Sequence, residues 1–82
     1  MKPHARVAWQ VIDGQAVLID LEVGHVLGLN ETGSFLWPRL ENRCAEELSQ
    51  ELSQEFRVPA ARAREDVASF LSLLRQRGFI EG

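Results

Sequence analysis

"VAWQVIDGQAVLIDLEVGHVLGLNETGSFLW", residues 7–37 of the 82-residue chain, changes its hydrophobic pattern once, and that change decides the fold. Up to Leu29 the apolar residues come in short runs rich in Val, Ile and Leu, broken at Asp13-Gly14 and at Gly24, as strands joined by turns would be. After Asn30 they cluster as Phe35, Leu36 and Trp37 in a helical stretch. Asp-Gly suits a two-residue type I′ turn because both positions tolerate positive φ. That turn sets Ile12 opposite Gln15, Val11 opposite Ala16 and Trp9 opposite Leu18. A second turn in "LEVG", residues 21–24, sets His25 opposite Asp20, Leu27 opposite Leu18 and Leu29 opposite Ala16. The expected core face then holds Val7, Trp9, Val11, Leu18, Leu27 and Leu29. The opposite face, with Ala8, Ile12, Val17, Ile19 and Val26, is apolar as well.

The remainder predicts helices. Asn30 can accept a backbone N–H of the first turn, so "NETGSFLW" reads as a capped helix that Pro38 kinks or shortens. Leu48, Leu52 and Phe56 recur every fourth residue after Cys44, which stands where Ser or Thr would cap best. Pro59 suits the first turn of a last helix, and Gly78 suits its C-terminal stop. In that helix Ala63, Val67, Phe70, Leu71, Leu73 and Leu74 cover an arc of about 160°, wider than the ~100° of a core-facing stripe. One edge of the arc is therefore expected to bury itself elsewhere. "FIEG" reads as a tail folded back on the core. The expected architecture is α+β, a single domain over residues 1–82, with strands near 7–12, 15–20 and 25–29 followed by helices near 31–40, 45–56 and 60–77.

Composition narrows the function. Hydrophobic residues make up 45% and charged residues 26%, the balance of an ordinary globular domain rather than a disordered chain. No run nears the ~20 apolar residues that span a bilayer, and "MKPHARVAWQ" lacks a signal-peptide core, so a cytoplasmic, membrane-free protein is expected. The one cysteine, Cys44, cannot form an intramolecular disulfide, and with His4 and His25 it makes a poor ligand set, so no metal is expected. A net charge of -3 argues against a non-specific phosphate binder. Arg62, Arg64, Arg75 and Arg77 invite a winged-helix nucleic-acid reading, yet Glu65 and Asp66 offset two of them, and Arg62 can pair with Asp66 one turn on. Glu46, Glu47, Glu51 and Glu55 read as a solvated helix face, and no serine or cysteine has a nearby histidine in sequence, so no catalytic residue is expected. His25 reads as facing Asp20 across the ladder.

The strand from His25 to Leu29 then stands out. In a meander it lies at an edge, where natural sheets carry lysine, proline or a bulge against foreign strands. It carries only Gly28. Either a loop or terminus covers it, or it accepts an extended peptide, with Gly28 permitting close backbone approach. A Leu27→Pro change is expected to weaken such pairing.

"AVLIDLEVG", the junction "GLNETGSFLW" and the terminal "REDVASFLSLLRQRGFIEG" occur in order, with "CAEELSQELSQEF" between. Together they resemble the PqqD-like family, the recognition elements of ribosomally made, post-translationally modified peptides (RiPPs), over nearly the whole chain. The resemblance implies a winged helix-turn-helix-like domain with a three-stranded antiparallel sheet followed by three helices. It implies that a precursor's leader peptide adds as a strand beside the third strand, against the third helix. Carried onto this chain, the cleft would involve His25, Val26, Leu27, Gly28, Leu29, Asp66, Val67, Phe70, Leu71, Leu73 and Leu74. The domain would do no chemistry and need no cofactor, delivering the leader to a separate leader protease or modifying enzyme. "LNETGSFLW" is more similar to the stand-alone proteins of lasso-peptide pathways than to the protein of quinone cofactor biosynthesis, a peptide chaperone usually showing "LN-x-S-A-x-x-I-L". Pro38, Cys44 and Pro59 depart from the family pattern, all at helix ends. A monomer is expected, with edge-strand pairing of two copies as the other arrangement.

Overall fold

The computed structural model describes residues 1–81. Five strands, β1 (Lys2–Pro3), β2 (Val7–Ile12), β3 (Gln15–Asp20), β4 (Val26–Gly28) and β5 (Ile80–Glu81), combine with helices α1 (Glu31–Leu36), α2 (Ala45–Phe56) and α3 (Ala60–Gln76). A 3-10 turn, Trp37–Arg39, follows α1. The main sheet is antiparallel in the order β2-β3-β4, and β1 pairs with β5 in a separate two-stranded ribbon. Among the described residues no helix is long and apolar enough to cross a membrane.

Local chemistry accounts for each junction. Asp13 and Gly14 both adopt positive φ, 53° and 80°, as a type I′ turn requires, and Trp9 pairs with Leu18 and Val11 with Ala16. The β3–β4 turn is built on Asp20. Its Oδ1 accepts the Glu22 and Val23 N–H groups at 3.0 and 3.2 Å, its Oδ2 accepts Arg6 Nε at 2.8 Å, and its carbonyl accepts the Gly24 N–H at 2.7 Å. The carboxylate is thus committed to Arg6 and its own turn rather than to His25, which is exposed. Leu18 then pairs with Leu27.

Asn30 caps α1: its Oδ1 accepts the Gly33 N–H at 2.9 Å. Ser34 ties the helix to the sheet, its hydroxyl accepting the Ala16 N–H at 2.9 Å and donating to the Leu29 carbonyl. Pro38 lacks the N–H to continue an α-helix, so the chain tightens into the 3-10 turn. At α2 the Glu47 carboxylate accepts the Cys44 N–H at 2.9 Å. Arg57, with φ 54°, ends α2, and Gly78, with φ 75°, turns the chain out of α3. Residues 79–81 are more than a tail: Phe79 is buried, its carbonyl accepts the His4 N–H, and Ile80 pairs with Pro3.

The core lies between the sheet and the helices, with Leu18, Leu29, Leu36, Trp37, Leu48, Leu52, Val67 and Leu74 buried. On β2 the expected core face is only partly covered: Trp9 sets its ring edge-on to Trp37 at 6.4 Å, but Val11 is exposed. The fully buried side chains of the sheet come from β3 and from Leu29 just after β4, while Val7 of β2 packs against the core only partly buried.

The hydrogen bond from Arg6, aided by the Val23 and Glu22 N–H groups and opposed by desolvation, holds the Asp20 carboxyl below its usual value. A depressed folded-state value stabilises fully above the unfolded carboxylate value and is lost as pH falls through the folded one. Asp20→Asn is therefore expected to lower the urea midpoint at neutral pH, with the gap from wild type closing below about pH 4. A gap unchanged in acid would place the stabilisation elsewhere.

Candidate functional site

Antiparallel pairing makes backbone groups alternate between the neighbouring strand and the free edge. In β4 the bonds from the Asp20 N–H to the His25 carbonyl and from the Leu29 N–H to the Ala16 carbonyl, both 2.8 Å, show that residues 25, 27 and 29 face β3. The N–H and C=O groups of Val26 and Gly28 therefore point outward, and no hydrogen bond joins them to another described residue. An edge strand with two consecutive outward positions and no guard is a template for an added strand.

A groove of about 560 Å³ runs along this edge, walled by Gly28, Leu29, Asn30 and Thr32 on one side and by Arg62, Asp66, Ser69, Phe70 and Leu73 of α3 on the other. The wide apolar arc of α3 divides here. Ala63, Val67, Leu71 and Leu74 point into the core, the last three with 1%, 3% and 0% exposure. Asp66, Phe70 and Leu73 lie about a third of a turn round the helix, at ~100° per residue, and face the groove. Gly33 allows α1 to approach: a Cβ there would lie 3.1 Å from Cε1 of the Phe70 ring and 3.2 Å from the Asn30 cap oxygen.

Of the residues expected in the cleft, Gly28, Leu29, Asp66, Phe70 and Leu73 line it. Val67, Leu71 and Leu74 do not reach it, because their side chains are spent on the hydrophobic core. Val26 offers its backbone, while its side chain, 63% exposed, lies on the outer face beside Ile19. Leu27 points to the helix side with Leu18 and is half-buried; His25 precedes the groove and is exposed. Because the Leu27 N–H faces β3, Leu27→Pro would damage the sheet itself, and the edge is probed instead at Val26.

Sequence reasoning left out Asn30, assigned only a capping role, and Thr32, Arg62 and Ser69. The helical spacing of Arg62, Asp66, Ser69 and Leu73 was the available signal. Arg62 pairs with Asp66 at 3.9 Å, giving the groove one polar end, and Arg64 pairs with Glu46 at 3.4 Å. These pairs take up two of the arginines that suggested a phosphate-binding helix.

The family model for the coenzyme PQQ synthesis protein D, PqqD, matches residues 15–80, a span that includes both walls of the groove. The chain belongs to the PqqD family. Among solved structures similar to this PqqD-like domain, "TbiB1 in complex with the TbiA(beta) leader peptide" superposes with a TM-score of 0.92 at 31% identity, covering 100% of this chain and 96% of that one. A lasso peptide synthetase B1 complexed with the leader peptide shares the fold, with a TM-score of 0.89 over 99% of this chain and 96% of that one, at 23% identity. A comparison with curated protein sequences gave no match.

The division of α3 predicts unequal costs. Leu71→Ala and Leu74→Ala are expected to lose about 2–5 kcal/mol of stability each in denaturant titrations, and Leu73→Ala well under half of that. Equal losses at the three positions would contradict the assignment of Leu73 to the groove.

Proposed function

We propose that this protein binds the leader segment of a ribosomally made precursor peptide as an added strand on β4, against α3. It then presents that leader to a separate leader protease or modifying enzyme, within lasso-peptide biosynthesis. The observation that carries the proposal is the coincidence of an unguarded strand edge with a groove walled by Phe70 and Leu73. An extended peptide in register with β4 would bond to the outward groups of Val26 and Gly28. Its alternate side chains would point toward Phe70 and Leu73, and the others toward solvent on the Val26 side. Backbone pairing gives affinity and the helix wall gives selectivity.

The likeness to TbiB1, solved with a leader peptide, supports the choice of ligand and pathway over a role in quinone cofactor assembly. The protein acts by binding and performs no chemistry itself; the peptide is the substrate of the partner enzyme. The acidic net charge and the arginine pairing on α3 weigh against a nucleic-acid partner.

Fluorescence anisotropy with a labelled leader peptide of a lasso-peptide precursor, the TbiA(beta) leader being the first probe, tests the proposal. Val26→Pro removes one outward N–H at an edge position, where proline is tolerated, and is expected to weaken binding about tenfold. Phe70→Ala removes the aromatic wall and is expected to cost tenfold or more, on the order of 2 kcal/mol. Glu51→Ala, on α2 and outside the groove, should bind as wild type does. Equal affinity of all four proteins would reject strand addition at β4.

A further inference from the structure

The sheet has a second open edge, on β2, and it is the longer one. The Leu21 N–H donates to the Arg6 carbonyl, so residues 6, 8, 10 and 12 face β3 while 7, 9 and 11 face outward. The outward N–H of Val7 is taken by the His4 carbonyl at 3.0 Å. The outward N–H and C=O groups of Trp9 and Val11 meet no other described residue. The strand reads "VAWQVI": no charge, no proline, no bulge. Trp9, Val11 and Ile12 are 44%, 59% and 49% exposed, an unusual concentration of apolar surface on an edge strand.

We propose that this edge pairs with the same edge of a second copy, giving a two-fold symmetric dimer with one continuous six-stranded sheet. Strand register favours this pairing. A two-fold axis normal to the sheet requires one residue of an antiparallel pair to face its own counterpart. With Gln10 on the axis, Trp9 stands opposite Val11 of the second copy and Val11 opposite its Trp9. Those are the positions whose backbone groups are unpaired, so every outward group of Trp9 and Val11 in both copies gains a partner.

The side chains agree with that register. On the helix side Trp9 meets Val11 of the second copy, an aromatic and β-branched pair of the kind that stabilises sheets. The Trp9 ring there walls a notch of about 240 Å³ with Pro3, Trp37, Pro38 and Glu41, beside which the incoming Val11 is seated. On the outer face Ala8 meets Ile12 of the second copy, and the two Gln10 amides bond across the axis. No like charges are opposed along the strand. At its ends Arg6, whose guanidinium is held by Asp20 of its own copy, falls opposite Gly14 of the second copy and opposes no like charge. The two β4 edges remain at the far ends of the sheet, open and facing away from each other.

A single strand pair makes a small interface, so the dimer is weak and concentration-dependent. Sedimentation velocity of the full chain from micromolar to millimolar concentration should show the mass rising from 9.3 kDa toward twice that value. Gln10→Lys and Gln10→Glu each set two like charges face to face on the axis, at an exposed position, and each should stay monomeric. An equimolar mixture of the two variants should restore the dimer. A second measurement stands apart from mutation: amide exchange at Trp9 and Val11 should slow as wild-type concentration rises, with no change at Val26 and Gly28. A wild-type chain that stays monomeric to millimolar concentration would overturn the proposal. So would a dimer that both Gln10 variants retain, or one that protects Val26 and Gly28 instead.

Discussion

The buried Asp20 carboxylate receives Arg6 and two backbone N–H groups of its own turn, and this sets where β4 begins. If β4 slipped by one residue, Leu27 and Leu29 would leave the helix side and the outward backbone groups would pass from Val26 and Gly28 to their neighbours. Leu29, at the strand's end, is buried, so such a slip would cost core packing as well. Arg6 also reaches the Gly78 carbonyl at 3.4 Å, joining the sheet to the segment that leaves α3. One ion pair therefore connects the strand edge, the sheet register and the placement of the helix that walls the groove.

The groove itself is a result of dividing one apolar helix between two tasks. Ala63, Val67, Leu71 and Leu74 hold α3 to the core, which frees the adjacent face to present Phe70 and Leu73 to the strand edge. Gly33 completes the arrangement from the other side, since any side chain there would press on Phe70 and on the cap of α1. Walls anchored in the core in this way would limit the ordering cost of binding an extended peptide.

Much of this was legible in the chain. Asp13-Gly14 announces the hairpin, the "LEVG" turn sets the second register, Asn30 marks the strand-to-helix junction, and β4 shows no edge guard beside the candidate groove. What was not legible has physical reasons. A helix with a wide apolar arc does not disclose which of its edges meets the core, so Val67, Leu71 and Leu74 could not be separated from Leu73. Strands of two residues have no period, so the β1–β5 ribbon read as a tail. Arg62 and Ser69 are polar and gave no core signal, although their spacing places them beside Asp66 and Leu73. Val7 and Trp9 of β2 find partners in the core and in Trp37 while Val11 stays exposed, a property of packing rather than of the strand itself.

Strand addition at β4 needs the outward direction of two backbone amides, and residue-resolved hydrogen exchange reads them directly. With the leader peptide added, exchange at Val26 and Gly28 should slow sharply, while Leu27 and Leu29, already bonded to β3, change little. Unchanged exchange at Val26 and Gly28 under saturating peptide would contradict strand addition at β4.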